Sequence, residues 1–258
     1  MGIVNVTPDS FSDGGRHFDA GVAVAAGERM AAEGADILDV GGESTRPGAA
    51  PVPLEEELRR VLPVVQALAT RGHRISVDTR HAAVMAAALD AGAAIVNDVT
   101  ALTHEPASLP LVAGRGAGVV LMHMRGTPDT MGKLTQYDDL VGEIEAYLAE
   151  RLAACRAAGM SDDRLCIDAG VGFAKTAEQS AQLIGATARF VRLGVAVLVG
   201  ASRKSFIGRL SKGESAEDRL PGSIAAAIAA VEAGAQIIRV HDVKETAQAL
   251  RIWRAVRS

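Results

Sequence analysis

The chain contains a repeated unit in which an alanine-rich helical segment stops at a glycine and a short β-branched run follows. Residues 33–41, 91–99 and 232–242 show this unit most clearly. Glycine ends a helix readily because it adopts the left-handed backbone conformation without steric cost. Each run then ends in polar residues. A repeat with a period of about 30 residues constrains the fold more strongly than any single motif.

The repeats predict eight short strands, at residues 1–4, 37–40, 74–77, 94–97, 119–123, 165–168, 195–199 and 236–240. The segments between them have the spacing of amphipathic helices. Strict alternation of strand and helix predicts parallel strands joined by right-handed crossovers. A doubly wound open sheet is the alternative, but eight regular units without a strong dinucleotide-binding fingerprint favour an α/β fold closed into a (β/α)8 TIM barrel.

The size of the chain suits this fold, since such barrels commonly take about 250 residues and this one has 258. No linker rich in proline, glycine or serine marks a boundary, so we expect residues 1–258 to form a single domain. A net charge of −4 without a long basic block argues against a nucleic-acid partner. There is no apolar run of membrane-spanning length and no signal peptide, so we expect no membrane partner and a cytoplasmic location. Cys155 and Cys166 are too few for a disulfide framework, which favours a reducing compartment.

Polar side chains follow every predicted strand, and in a barrel these positions meet at one face. Plain solvation explains any one of them, but all eight together predict an active site. The set comprises Asn5, Asp39, Asp78, Asn97 with Asp98, His123, Asp168, Ser202 with Lys204, and Arg239 with His241.

Asp78 and Asp168 each leave an apolar strand and have Lys204 and Arg239 as candidate partners. Carboxylates near an amide can read a planar ligand edge that carries adjacent N–H donors. Capping of the next helix or a structural ion pair is the alternative for either carboxylate.

Three loops have the composition of anion sites. Residues 5–15 offer an amide, carboxylates and hydroxyls that suit a metal-bound anion. Residues 202–208 offer cationic side chains and backbone amides, although a basic surface loop would have the same composition. Residues 43–48 place a guanidinium on a stiff turn, which suits phosphate. His123 and His241 are not part of any zinc spacing, and the chain has no nucleophile elbow, so covalent catalysis is disfavoured.

Taken together, these segments resemble the dihydropteroate synthases, and the resemblance spans practically the whole chain. It rests on residues 5–15, 41–48, 76–79, 97–99, 121–124, 168–175, 202–208 and 239–242. The resemblance implies a barrel enzyme of folate biosynthesis that joins 6-hydroxymethyl-7,8-dihydropterin diphosphate to 4-aminobenzoate with Mg2+ and releases diphosphate. It also implies a homodimer.

The resemblance implies three binding regions. The pterin would be held by Asp78, Asn97, Met122, Asp168, Lys204 and Arg239. The diphosphate would be held by Asn5, Thr45, Arg46, Arg239 and His241, with Asn5 also beside Mg2+. The 4-aminobenzoate pocket would use Phe11, Thr45, Pro47, Phe173, Arg203 and Ser205. The residues expected to act in catalysis are Asp13, Asp78 and Lys204.

The sequence departs from the family pattern at the loop after the sixth strand, where Ala169 replaces the usual proline and Ala174 a frequent glycine. We therefore expect this loop to be less rigid. The chain also opens on its first strand without the short lead common in the family, which suggests a truncated start.

Two other functions share part of the pattern. A methyltetrahydrofolate-dependent corrinoid methyltransferase needs no diphosphate site, and a noncatalytic pterin-binding subunit would keep Asp168 and Asn97 but lose the loop chemistry. The intact loops favour the synthase.

Overall fold

The structure is a computed structural model that describes residues 1–6, 20–44 and 49–257. Its eight strands are all parallel and pair in chain order. A bridge between Gly2 and Val240 closes the sheet, because Ile3 N donates to Val240 O at 3.0 Å and Val240 N donates to Met1 O at 3.0 Å. The predicted α/β barrel is confirmed. The strands are β1 (Gly2–Asn5), β2 (Leu38–Gly41), β3 (Ile75–Asp78), β4 (Ile95–Asp98), β5 (Gly118–Met122), β6 (Leu165–Asp168), β7 (Ala196–Val199) and β8 (Ile237–Ile238).

The predicted strands agree with the structure to within one residue for β1 to β7, whereas β8 is shorter than predicted. The predicted eighth strand includes Arg239 and ends just before His241, but in the structure both residues lie beyond β8, on either side of the bridging residue Val240. Most observed strand boundaries lie one residue closer to the carboxyl end than the predicted ones. Asn5 and Asp78 are therefore the last residues of their strands, so the sheet hydrogen bonds fix their backbones.

Helices surround the barrel and join successive strands. In the described residues they are α1 (Ala20–Glu33), α2 (Leu54–Thr70), α3 (Ala82–Asp90), α4 (Ser108–Arg115), α5 (Leu140–Ala157), α6 (Ala177–Gly185), α7 (Thr187–Val191), α8 (Ser205–Leu210), α9 (Leu220–Glu232) and α10 (Val243–Arg257). Among these residues, no helix has both the length and the apolar character needed to cross a membrane.

The glycines of the repeated unit end helices as predicted. Gly34, Gly92 and Gly234 follow α1, α3 and α9 closely and have φ angles of 111°, 106° and 101°. In this left-handed region a Cβ atom would be strained. Each glycine therefore turns the chain directly from a helix into the next strand.

The apolar residues form two layers. The main layer lies between the strands and the helices. A smaller cluster is built on Val120, Cys166 and Leu198, with Ile95 and Ile237 packed against it. These side chains lie two residues before Met122, Asp168, Gly200, Asn97 and Arg239, which places each pair on the same face of its chain segment because side chains alternate along a strand. The smaller cluster is therefore an apolar floor beneath the polar mouth of the barrel.

Candidate active site at the barrel mouth

The strand register brings several of the predicted residues to one level of the barrel. Asn5 is paired with Gly41, Gly41 with Asp78, and Asp78 with Asn97. Met122 is paired with Asp168 on the other side of the mouth. Phe11, Asp13, Thr45, Arg46 and Pro47 lie outside the described residues.

Arg239 links two carboxylates across the mouth. Its Nε donates to Asp39 Oδ2 at 2.6 Å and its Nη2 donates to Asp78 Oδ2 at 2.7 Å. Burial disfavours the charge on Arg239, but Asp39 and Asp78 outweigh burial and raise the pKa of the guanidinium above its ordinary value. Arg239 is therefore a fixed cation at the centre of the site.

Asp39 lies beneath this arrangement and is completely buried. Its Oδ2 also accepts a hydrogen bond from Asn97 Nδ2 at 3.0 Å, whereas its Oδ1 has no hydrogen-bond partner among the described residues. The sequence placed Asp39 at a strand end but gave it no role. Its position within a β-branched run, two residues before the end of β2, was the available signal.

Asp78 differs from an ordinary surface aspartate because burial raises its pKa to about 7, against the opposing effect of Arg239. The negative charges of Asp39, Asp98 and Glu57 add to this increase. Near neutral pH, Asp78 can therefore either keep a proton or carry a negative charge beside a ligand.

Asp168 is 8% exposed and ends β6. Its Oδ1 accepts a hydrogen bond from Gly170 N at 2.7 Å, and burial raises the pKa of its carboxyl group. Gly170 has a φ of 71°, and a Cβ there would lie 2.0 Å from His123 O, so only glycine fits. Since the Gly170 bond uses one oxygen, the other can accept from a ligand.

Lys204 connects the loop after β7 with the loop after β6. Its Nζ donates to Val171 O and lies 4.5 Å from the centre of the Phe173 ring. Burial lowers the pKa of Lys204 to about 8, although the negative charge of Asp168 opposes this shift. The Asp78 carboxylate accepts a hydrogen bond directly from Arg239. The positive charge of Lys204 instead opposes the increase in the pKa of Asp168.

A second buried lysine supports the same loop. Lys175 Nζ donates to His123 O at 3.2 Å and lies 2.9 Å from His123 Nδ1. Burial lowers the pKa of His123 to about 3, and it lowers the pKa of Lys175 well below its ordinary value. Tyr137 Oη donates to Ala174 O at 3.1 Å in the same region. His123 thus packs beneath the loop, and the sequence gave no sign of its bond to Lys175.

The segment before α8 is held by hydrogen bonds that join Arg203 and Ser202 to three other residues. Arg203 Nε donates to Asp242 Oδ2 at 2.9 Å, and Arg203 N donates to Ser223 Oγ at 2.9 Å. Ser202 Oγ accepts from His241 N at 3.1 Å and lies 3.0 Å from His241 Nδ1. Ser205 is the exposed first residue of α8. The sequence prediction included Asp242 in a matching segment but gave it no role, because a charged partner from a distant loop leaves no local pattern.

The protein-family model described as pterin binding enzyme matches residues 1–241. Dihydropteroate synthase of Escherichia coli is 48% identical over 259 residues, covering 100% of this chain and 91% of the relative. Dihydropteroate synthase of Xanthomonas albilineans solved with 4-aminobenzoic acid has a TM-score of 0.94 and 50% identity, over 100% of this chain and 92% of that one. Its complex with 7,8-dihydropteroate has a TM-score of 0.91 and 48% identity, over 100% and 93%. The chain belongs to the dihydropteroate synthases, within the pterin-binding enzyme family.

Proposed function

We propose that this protein is a dihydropteroate synthase, which joins 6-hydroxymethyl-7,8-dihydropterin diphosphate to 4-aminobenzoate and forms 7,8-dihydropteroate and diphosphate. The full-length similarity to enzymes of that name supports the reaction. The X. albilineans structures contain 4-aminobenzoic acid in one case and 7,8-dihydropteroate in the other. The observation that carries the proposal is the Arg239 cation fixed by Asp39 and Asp78 beside the buried carboxylate of Asp168.

In this proposal the pterin ring enters the mouth above the apolar floor. Asp168 and Asn97 bind its polar edge with Lys204, and Asp78 lies beside the ring. Met122 and the aliphatic stem of Arg239 cover its faces. Support comes from the burial of Asp168 and Asn97, at 8% and 6% exposed, because buried polar groups give strong and specific hydrogen bonds to a ligand.

The diphosphate is assigned to Asn5, Arg239 and His241, with Thr45 and Arg46 from outside the described residues. Two of the three guanidinium nitrogens of Arg239 already bond to carboxylates, so Nη1 is the nitrogen left for a phosphate oxygen. Ser202 holds His241 in place by accepting its backbone N–H.

The 4-aminobenzoate is assigned to Phe173, Arg203 and Ser205, together with Phe11, Thr45 and Pro47. Asp242 occupies Nε and Nη2 of Arg203, which leaves Nη1 for the benzoate carboxylate. The exposed Ser205 at the start of α8 adds a hydroxyl at the same end of the segment.

Mg2+ suits the oxygen donors at the mouth. Magnesium ions usually take one or two protein oxygens and complete their coordination with substrate phosphate and water. The Asn5 amide oxygen, at the end of β1 next to Gly41, is of this kind. Asn5 would hold the ion, which on binding would neutralise charge on the leaving diphosphate.

The reaction we propose is dissociative. The bond from the pterin methylene carbon to the diphosphate oxygen breaks, and the electron pair leaves with the diphosphate. The amine of 4-aminobenzoate then attacks the methylene cation and loses a proton. Asp78 and Asp13 stabilise the developing positive charge, while Arg239 and Lys204 offer positive charge to the departing group and the bound pterin. Fixed charges in a water-poor site carry most of such a rate enhancement.

Diphosphate release tests the proposal. Purified protein is incubated with the pterin diphosphate, with and without 4-aminobenzoate and Mg2+. We expect steady-state release over many turnovers that requires both additions and yields 7,8-dihydropteroate in equal amount. Release that is independent of both, or no release at all, would contradict the assignment.

We also propose that the protein acts as a cytoplasmic homodimer. Ile252 and Val256 on α10 are 62% and 80% exposed, and this apolar surface supports a partner on that helix. Light scattering should give twice the mass of the chain, and Ile252→Glu should reduce it to that of a monomer.

A further inference from the structure

Beside the mouth, the start of α3 and the loop between β4 and α4 bring three metal-binding residue types together. His81 immediately precedes α3, while His104 and Glu105 belong to the loop. One ligand atom from each residue lies within 4.8 Å of the other two. The proposed function uses none of the three.

His81 is oriented by a carboxylate behind it. Its Nδ1 lies 2.7 Å from Glu57 Oε2, and Glu57 is completely buried. The other oxygen of Glu57 has no hydrogen-bond partner among the described residues. A histidine that donates from Nδ1 to a carboxylate presents the lone pair of Nε2, which is the arrangement found behind many metal-ligating histidines.

Glu57 also needs positive charge nearby. A buried carboxylate with a single hydrogen bond is expensive unless a cation compensates for it. A metal ion on the far nitrogen of His81 would polarise the Nδ1–H bond and supply that charge. The burial of Glu57 is thus consistent with a cation bound to His81.

Glu105 is held by a hydrogen bond from a backbone N–H group rather than by a side chain. Its Oε2 accepts from Ala82 N at 3.1 Å, which leaves Oε1 for an ion. The rings of His81 and His104 are 5.3 Å apart and edge to face. A tetrahedral ion bound at about 2.0–2.2 Å needs its ligand atoms about 3.3 Å apart. His104 is exposed, so its side chain can turn to close that gap.

We infer that His81, His104 and Glu105 form a Zn2+ site, with Glu57 as the positioning carboxylate of His81. Two imidazoles and one carboxylate suit zinc, whereas Mg2+ prefers oxygen ligands only. An open cavity of about 270 Å3, lined in part by His104 and Thr103, gives solvent access for a water as fourth ligand. The ion would tie the start of α3 to the loop after β4.

Metal titration tests the site directly. The chelator-treated protein, without an affinity tag or substrates, is titrated with Zn2+ by calorimetry and with Co2+ by visible absorption. We expect one equivalent to bind, with the absorption of four-coordinate Co2+. At a free Zn2+ concentration of about 100 Kd, the Tm should rise by about 5 °C.

Two variants and a control locate the binding. His104→Ala removes an exposed ligand, and Glu105→Gln keeps an acceptor for Ala82 N while losing the charge. We expect each to weaken Zn2+ binding at least tenfold and to abolish the Tm increase. His73→Ala is the matched control, because His73 pairs with Glu28 at the opposite end of β3 from His81. We expect this variant to bind Zn2+ as the unaltered protein does. Absence of Zn2+ binding in the unaltered protein, or equal binding in His104→Ala, would overturn the inference.

Discussion

Asp39 lies below Arg239 in the barrel, and its Oδ2 accepts a hydrogen bond from Arg239 Nε at 2.6 Å. Asp39 has no exposed surface, whereas the Arg239 side chain retains 21% exposure. The Asp39 carboxylate thus holds the arginine from below, and the exposed part of Arg239 is available to the proposed ligand above it.

Asp39→Asn should therefore reduce both stability and activity. The substitution keeps the shape of the side chain but removes half of the negative charge that fixes Arg239. We expect the free energy of unfolding to fall by about 3 kcal/mol, as for other broken buried ion pairs, and kcat/KM to fall with it. Urea unfolding and steady-state kinetics measure the two effects. Glu28→Gln, in an exposed pair with Arg71, is the control and should change neither; equal behaviour of the two variants would refute the role of Asp39.

Asp78→Asn should slow the proposed reaction by about 100-fold, because loss of one preorganised charge costs on the order of 3 kcal/mol of barrier. Single-turnover measurements separate this effect from substrate binding. Asn keeps the size and polarity of the side chain, so the barrel should remain folded, as circular dichroism would show. An unchanged single-turnover rate would exclude Asp78 from charge stabilisation.

The raised pKa of Asp78 also predicts a pH dependence of stability. Its pKa is about 7 in the folded protein and near 3.8 in the unfolded chain, so between these values the folded state binds more protons. Stability from this group is therefore complete below about pH 4 and falls as the pH rises to about 7. Comparing denaturation of the unaltered protein and Asp78→Asn across this range isolates the contribution of Asp78. Parallel profiles would show that its pKa is not raised.

Asp168→Asn should weaken binding of a pterin without diphosphate by about 10- to 100-fold, since a hydrogen bond to a charged group contributes about 1.5–3 kcal/mol. The asparagine oxygen can still accept from Gly170 N, so the loop should keep its conformation. Calorimetry with the pterin alone avoids any contribution from the diphosphate site. Asp90→Asn, in an exposed pair with Arg115, should bind the pterin normally. Full affinity in Asp168→Asn would remove this residue from the pterin site.

Ala174→Gly should stabilise the protein. Ala174 has a φ of 51°, in the left-handed region where a Cβ atom costs about 1–2 kcal/mol. Glycine removes that strain but adds entropy to the unfolded chain, so we expect a net gain of about 0.5–1 kcal/mol in unfolding free energy. Ala153→Gly, at an exposed position inside α5, should lose about 1 kcal/mol. Equal losses in both variants would show that Ala174 is not strained.

The sequence predicted the barrel well because each unit carries its own local signals. Gly34 and Gly92 end helices through backbone conformation, and the β-branched runs after them need only neighbouring strands to pair. Strand ends follow from the same pattern, which is why Asn5, Asp78 and Asp168 were placed at the mouth.

The partners within the mouth were harder to predict because they depend on distances between loops far apart in sequence. Lys204 bonds to the carbonyl of Val171, and Arg203 bonds to Asp242. Neither contact has a signature in the residues around it. β8 is shorter than predicted because, among the described residues beyond Ile238, Val240 alone forms a bridge to the first strand. The predicted loss of rigidity after β6 and the single domain remain predictions.

The apolar floor formed around Val120, Cys166 and Leu198 has a consequence for how this scaffold can change. Cys166 and Asp168 are separated by one residue on β6, yet Cys166 packs in the apolar floor and Asp168 lies at the mouth, where we propose that it binds the pterin. Residues that stabilise the fold and residues proposed to bind the ligand thus lie two positions apart on the same strand. A library of variants that changes residues of the polar mouth and preserves those of the apolar floor should yield new ligand preferences while most of its members still fold.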